Sequence, residues 1–221
     1  MDSAVQRKNM VDSQVRPSDV TDRRIAQAML DVPREAFVPE SQRVIAYMDG
    51  NLVVSGAGVK PERVLLAPRV FAKMVQQMAL ENDATVLDIA PATGYSTAVL
   101  ARIAKRVVAV ESSAELAELA KATLARLAVA NATVIAGDIR EGAAGQGPYD
   151  AILVNGKLAD APAALLNQLK DGGRLIAIVD ARGVGKAVEW RRFAMNFDRR
   201  ILFDAEAPFL PGCARVAEFT F

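Results

Sequence analysis

The stretch VLDIAPATGYSTAVLA (residues 86–101) joins an apolar strand to the start of a helix through a turn that ends in Gly94. In α/β proteins a strand–turn–helix unit of this kind binds nucleotide cofactors, and its turn is ordinarily rich in glycine because the backbone approaches the ligand. Here Ala90, Pro91 and Ala92 stand where glycines are expected. The turn is therefore either a modified cofactor site or the remnant of one.

Strands and helices alternate on the C-terminal side of this turn, which is typical of a parallel sheet covered by helices on both faces. A helix is predicted over 161–173, where two glycines end it. The tail segments KAVEWRRFAMN, RRILFDAEA and CARVAEFTF predict antiparallel strands at one edge. We therefore expect an α/β fold with a Rossmann-like, doubly wound and mostly parallel sheet. Its parallel strands are predicted near 85–89, 106–111, 132–136, 149–155 and 174–179.

The first eighty residues have a different pattern. Segments 21–33 and 69–80 carry apolar residues at helical spacing, and the turn-rich segment 47–68 between them predicts an irregular hairpin or loop. We therefore expect two parts, namely an N-terminal helical and loop extension over 1–80 on the substrate side, and a cofactor-binding domain over 81–221.

Composition narrows the class of protein. The chain has 221 residues, of which 52% are hydrophobic, and its 27 Lys and Arg residues nearly cancel 26 Asp and Glu residues. A net charge of +1 favours neither a nucleic-acid nor a membrane partner. The single cysteine cannot form an internal disulfide, and we find neither a signal peptide nor an apolar run of the roughly 18 to 20 residues that span a membrane. We expect a cytoplasmic protein.

The absence of histidine limits the possible chemistry. Histidine is the commonest general base and the commonest zinc ligand, so Ser–His and Cys–His nucleophilic catalysis are excluded, and we expect no metal site. Carboxylates, lysine, tyrosine, hydroxyls or a cofactor must supply any activity.

Acidic and amide side chains follow successive predicted strands. Glu111 comes at roughly the 20-residue distance from the first strand at which an acid accepts hydrogen bonds from ribose hydroxyls. Asp138 follows the third strand, where it can reach an adenine amino group, and Asn155 ends the fourth. Together with Asp88 on the first strand, these side chains predict a nucleoside-containing cofactor at the carboxyl edge of the sheet. A P-loop and the dinucleotide motif G-x-G-x-x-G are both absent.

At this point the sequence resembles the class I S-adenosylmethionine-dependent methyltransferases, and more narrowly the protein-L-isoaspartate O-methyltransferase family. The segments AMLDVPREAFVPE, AYMDGNLVV, GPYDAILVNG and LLNQLKDGGRLIAIV carry the resemblance together with residues 86–101. It implies S-adenosyl-L-methionine as cofactor and isoaspartyl residues of damaged proteins or peptides as substrates, in protein repair. The cofactor-binding residues that it implies are Asp88, Ala90, Ala92, Gly94, Glu111, Asp138 and Asn155.

The chain departs from the family pattern at two loops. Alanine at a left-handed backbone position is strained, so we expect Ala90 and Ala92 to keep negative φ. The family's substrate loop corresponds to residues 64–68 here, anchored on Pro68. The family's hydroxyl falls on Leu66, and we therefore name no catalytic residue. Arg63 or Arg69 is a candidate to bind the substrate carboxylate instead. These departures leave two alternatives open, which are a catalytically inactive member serving as a binding or scaffold module, and a methyltransferase for another acceptor.

Overall fold

The computed structural model describes residues 2–56 and 61–214. Its helices are α1 (Ser3–Met10), α2 (Arg23–Asp31), α3 (Pro68–Gln77), α4 (Tyr95–Leu100), α5 (Ala114–Arg126) and α6 (Ala163–Leu166). Its strands are β1 (Leu52–Val53), β2 (Val64–Leu65), β3 (Thr85–Ile89), β4 (Arg106–Glu111), β5 (Ala132–Ala136), β6 (Tyr149–Leu158), β7 (Leu169–Ala181), β8 (Val184–Phe193) and β9 (Asn196–Asp204). None of the helices in these ranges is long and apolar enough to cross a membrane.

Seven strands form one sheet in the order β5-β4-β3-β6-β7-β8-β9. The first five in this order are parallel neighbours, and β8 and β9 continue the sheet antiparallel. The predicted α/β sheet and its antiparallel edge are therefore confirmed. The last predicted edge strand, over 213–221, falls almost entirely outside the described residues. Strand order reverses at β3, and ligands of such sheets bind at the carboxyl ends of the strands beside this point.

Burial on both faces explains why the strand sequences are continuously apolar. Successive residues of a strand point to opposite faces, so Val86 and Leu153 join one apolar cluster, whereas Leu87 and Ile152 join another. Buried residues of α2, α3, α4 and α5 complete the first cluster. The second cluster is completed by α6, by Trp190 of β8 and by residues near the C-terminus.

The N-terminal residues pack directly on the sheet rather than apart from it. Their buried side chains belong to the same apolar cluster as Val86. The short strands β1 and β2 pair antiparallel, so of the two alternatives predicted for 47–68, a hairpin or a loop, the described residues form the hairpin. The division of the chain at residues 80 and 81 into two parts remains a prediction.

The helix predicted over 161–173 is wrong in extent. Only Ala163–Leu166 is helical, and strand β7 already begins at Leu169. A side chain at position 173 would meet the carbonyl oxygens of Lys170, Asp150 and Tyr149 at 2.9–3.1 Å. The glycine therefore serves a close crossing of two strands, and not the end of a helix.

A C-terminal segment, residues 205–214, runs over the end of β6. The amide of Lys157 donates to the carbonyl of Pro208, and the amide of Leu210 donates back to Lys157, both at 2.9 Å. Leu210 is buried against Gly156, and a Cβ atom built there would lie 2.5 Å from Cδ2 of Leu210. This segment thus closes the carboxyl edge of the sheet beside the switch point.

We expect Gly156→Ala to lower the free energy of unfolding by about 1–3 kcal/mol, because the added methyl overpacks against Leu210. In a Leu210→Ala background the same change should cost less than about 0.5 kcal/mol, since the obstacle has been removed. Urea denaturation of wild type, of the two single variants and of the double variant measures both changes in the free energy of unfolding. Gly145→Ala is the control, because nothing lies within 4 Å of a Cβ atom at Gly145. Equal costs in both backgrounds would contradict this packing.

Candidate cofactor-binding site

The turn after β3 has a left-handed backbone at three positions. The φ angles are 60° at Ala90, 53° at Ala92 and 95° at Gly94. The expectation of negative φ at the two alanines is therefore wrong. Two hydrogen bonds hold this geometry, because the amide of Ala90 donates to the carbonyl of Val110 at 2.8 Å and that of Ala92 donates to Oε2 of Glu111 at 2.9 Å. The turn keeps a backbone shape that glycine adopts freely. For each alanine this shape costs about 1–2 kcal/mol of conformational strain.

Asp88 lies beneath this turn and is completely buried. Its Oδ2 accepts hydrogen bonds from the hydroxyls of Ser96 at 2.8 Å and Thr97 at 2.6 Å, and its Oδ1 accepts from Nδ2 of Asn155 at 2.6 Å. Burial raises the pKa of Asp88 to about 6, although these hydrogen bonds act to lower it. Asp88 and Asn155 thus come together in a network that supports the turn from below, and cofactor binding by these two residues remains a prediction.

Glu111 ends β4 with its carboxylate completely buried. Nη1 and Nη2 of Arg63 each donate to one of its oxygens, both at 2.7 Å. Oε1 also accepts from the amide of Ser113 at 3.0 Å, and Oε2 from the amide of Ala92 at 2.9 Å. Arg63, one of two candidates for a substrate carboxylate, therefore binds a carboxylate of its own chain.

Asp138 lies at the more exposed end of the site, after β5. Its oxygens accept from the amide of Arg140 at 2.9 Å and from Nη2 of the same residue at 2.7 Å. These hydrogen bonds hold the pKa of the Asp138 carboxyl below its usual range. The amide of Gly137 donates to the carbonyl of Glu111, so the two predicted acids end neighbouring strands.

The loop over 64–68, which the resemblance assigns to the substrate, has no hydroxyl at Leu66, whose side chain is buried. Its carbonyl accepts from Nη2 of Arg34 at 2.9 Å, and Nε of Arg34 donates to the carbonyl of Ala46 at 2.8 Å. Next to this loop, Arg69 lines an open cavity of about 500 Å³ together with Lys73. Nε of Arg69 lies 3.5 Å from Oδ1 of Asp49 on the surface.

Tyr95 serves packing at the start of α4. Its ring contacts those of Phe37 and Phe71, with centroids 5.7 Å away in each case. The guanidinium of Arg34 lies 4.7 Å from the centroid of the Tyr95 ring. Tyr95 therefore packs α4 against α3 and against the segment that carries Arg34 and Phe37.

A sequence model of the family described as protein-L-isoaspartate(D-aspartate) O-methyltransferase matches residues 5–202. The chain belongs to this family. A relative from Roseiflexus sp. (strain RS-1), named protein-L-isoaspartate O-methyltransferase, is 37% identical over 99% of this chain and 98% of its own length. Another relative of that name, from Koribacter versatilis (strain Ellin345), is 34% identical over 91% of this chain and 88% of its own.

Solved structures have the same fold. One named protein-L-isoaspartate O-methyltransferase is 27% identical, with a TM-score of 0.84 over 93% of this chain and 66% of its own. A protein from Plasmodium falciparum, described as a putative member in complex with S-adenosyl-L-homocysteine, has a TM-score of 0.77 at 22% identity over 91% of this chain and 96% of its own. At that identity the second structure supports the fold alone.

The residues of this methyltransferase do not fit an S-adenosyl cofactor in the arrangement described. The turn has the required backbone shape, and Asp138 retains an exposed carboxylate. However, ribose hydroxyls need an accessible acid, and both oxygens of Glu111 are occupied by Arg63 and by backbone amides. The mismatch lies at Glu111 alone. Asp88 and Asn155 are paired with each other below the turn, where they support its shape.

Sequence reasoning missed three contributors to the site. Ser96 and Thr97 carry a detectable signal, because two consecutive hydroxyls at the start of a helix follow a buried acid on the preceding strand. Arg34 carries none, since its carbonyl partners come from loops 12 and 32 residues further along the chain.

We expect Ala90→Gly and Ala92→Gly each to change the free energy of unfolding by less than about 1 kcal/mol. Relief of about 1–2 kcal/mol of left-handed strain offsets the lost methyl burial and the greater freedom of the unfolded chain. Ala98→Gly is the matched control, because Ala98 is equally buried but helical. It should cost about 1–2 kcal/mol more than either turn variant. Equal costs in guanidinium denaturation would mean that the turn stores no strain.

Asp88 should make stability depend on pH. Its pKa is about 6 in the folded protein, against 3.8 for an aspartate side chain exposed to water. The folded state binds the proton more tightly, so this contribution is complete below pH 3.8 and is lost as the pH rises through about 6. We expect the free energy of unfolding of wild type to fall by about 3 kcal/mol, relative to that of Asp88→Asn, between pH 3.5 and 7. Denaturation curves that shift in parallel for both proteins would refute this assignment.

Proposed function

We propose that the chain is an S-adenosyl-L-methionine-dependent O-methyltransferase that acts on L-isoaspartyl residues of damaged proteins or peptides. One observation carries the proposal beyond family membership, namely the strained left-handed turn beside Glu111. A scaffold that had lost the cofactor would have no need to keep Ala90 and Ala92 in a geometry that costs about 1–2 kcal/mol each. Cofactor uptake then requires a second arrangement of Arg63.

The acceptor chemistry agrees with a chain that has no histidine. A carboxylate is already ionised at neutral pH, so it needs alignment with the methyl donor and not a general base. The missing hydroxyl at Leu66 removes one aligning group of the family pattern.

Arg69 remains the better candidate to bind the substrate, because Arg63 is buried against Glu111. Arg69 lines the open cavity next to Ala67, and Lys73 adds a second positive charge one helical turn later, opposite the acidic side chains of Asp49, Asp204 and Glu206 in the same lining. An isoaspartyl residue carries a free carboxylate, for which a guanidinium is a suitable partner. We propose that this cavity receives the isoaspartyl segment of a peptide.

Location and partners are proposed on composition. The single cysteine, Cys213, is buried and unpaired, which supports a reducing compartment such as the cytoplasm. A net charge of +1 gives no support to nucleic acid or a membrane surface as partner.

Two synthetic peptides that differ only in one isoaspartyl or aspartyl linkage test the proposal. With methyl-labelled S-adenosyl-L-methionine, we expect base-labile methyl ester on the isoaspartyl peptide alone. Arg69→Ala should raise the KM for this peptide by about five- to tenfold with little change in kcat, because it removes a charged hydrogen bond at a partly exposed site.

Arg23→Ala, an exposed arginine on α2, is the control and should leave the KM unchanged. Label that appears on both peptides would indicate another acceptor. Absence of label on either peptide, with the cofactor bound, would overturn the proposed substrate.

A further inference from the structure

The buried ion pair between Arg63 and Glu111 is unusual in its position. Arg63 is 3% exposed and Glu111 is 0% exposed, so both charges have lost their water. A buried pair gains little net stability over apolar residues, because desolvation offsets the attraction. The pair therefore calls for an explanation beyond stability.

The two ends of the pair come from different parts of the fold. Arg63 immediately precedes β2 of the hairpin, and Glu111 ends β4, 48 residues further along the chain. The carboxylate lies against the cofactor turn, since Oε2 also accepts from the amide of Ala92. The guanidinium presents two parallel N–H groups to an acid at the strand end where ribose would present two hydroxyls.

We propose that Arg63 is an internal occupant of the ribose subsite, which a nucleoside must displace before Glu111 can bind it. This inference rests on the proposed function, because it assigns Glu111 to the cofactor. It adds a residue that sets the apparent affinity of that site.

The surroundings provide room for Arg63 to withdraw. A cavity of about 330 Å³ is lined by Arg63, Ser112, Glu115 and Pro211. Glu115 is exposed in the first turn of α5 and offers a second carboxylate to the displaced guanidinium. The amides of Val54 and Ser55 donate to the carbonyl of Arg63, and the amide of Arg63 donates to Oγ of Ser55, so the backbone stays in place and only the side chain has to withdraw.

Removal of the Arg63 side chain should have two opposite effects. Glu111 would lose its charged partner inside the protein, so the unliganded variant should melt about 10 °C lower than wild type. The ribose subsite would be vacant at the same time. If the guanidinium occupies Glu111 in nine molecules of ten or more, affinity for the nucleoside should rise about tenfold or more.

Calorimetry and thermal shift with S-adenosyl-L-homocysteine test this inference without any methyl acceptor. We expect Arg63→Ala to bind about tenfold more tightly than wild type, and saturating ligand to raise its melting temperature more. Arg63→Lys keeps a charge but not the bidentate pair, so it should bind with intermediate affinity; it also serves if the alanine variant fails to fold. Glu111→Gln should bind more weakly than wild type.

Arg174→Ala is the matched control, since Arg174 pairs with the buried Glu189 at 3.2 Å on β7 and β8. It should lower the melting temperature without changing affinity for the ligand. If wild type binds and neither Arg63 variant binds more tightly, Arg63 supports the site and the inference is wrong, while the proposed function stands. If folded wild type and Arg63 variants all fail to bind at millimolar ligand, both are wrong.

Discussion

The carboxylate of Glu111 is the point on which the candidate site depends. It connects the hairpin through Arg63, the turn after β3 through the amide of Ala92, and the residues before α5 through the amide of Ser113. These pieces come from three separate parts of the chain, and the charge that joins them is completely buried. Loss of one partner would leave a buried charge without compensation, which typically costs 3–5 kcal/mol. The local geometry of the site is therefore cooperative.

Much of the fold can be predicted from the sequence, because strands that are buried on both faces of a sheet have mostly apolar sequences. Strand Arg106–Glu111 is apolar between its polar ends, and Thr85–Ile89 is apolar after Thr85 except at Asp88, so the positions of both strands are predictable. Since parallel strands end at one edge, Asp88, Glu111 and Asn155 could be assigned to that edge before any coordinates were known.

The remaining features depend on contacts that local sequence does not encode. Arg63 looks like a surface arginine until the fold brings Glu111 to it. The φ angles of Ala90 and Ala92 run against the preference of alanine, because hydrogen bonds to neighbouring strand ends outweigh it. Likewise, the segment ending at Gly173 has helical composition, but the close carbonyl oxygens around that glycine require an extended crossing.

Strand β9 has consequences for how the molecules behave at high concentration. It is the last strand of the sheet, and among the described residues no other strand pairs with its outer edge. Asp198, Arg199 and Arg200 stand consecutively on it and are exposed. A second chain adding to this edge would have to strip water from three neighbouring charges, and charged edge strands resist such pairing. The charged strand β9 thus protects this edge of the sheet from edge-to-edge aggregation.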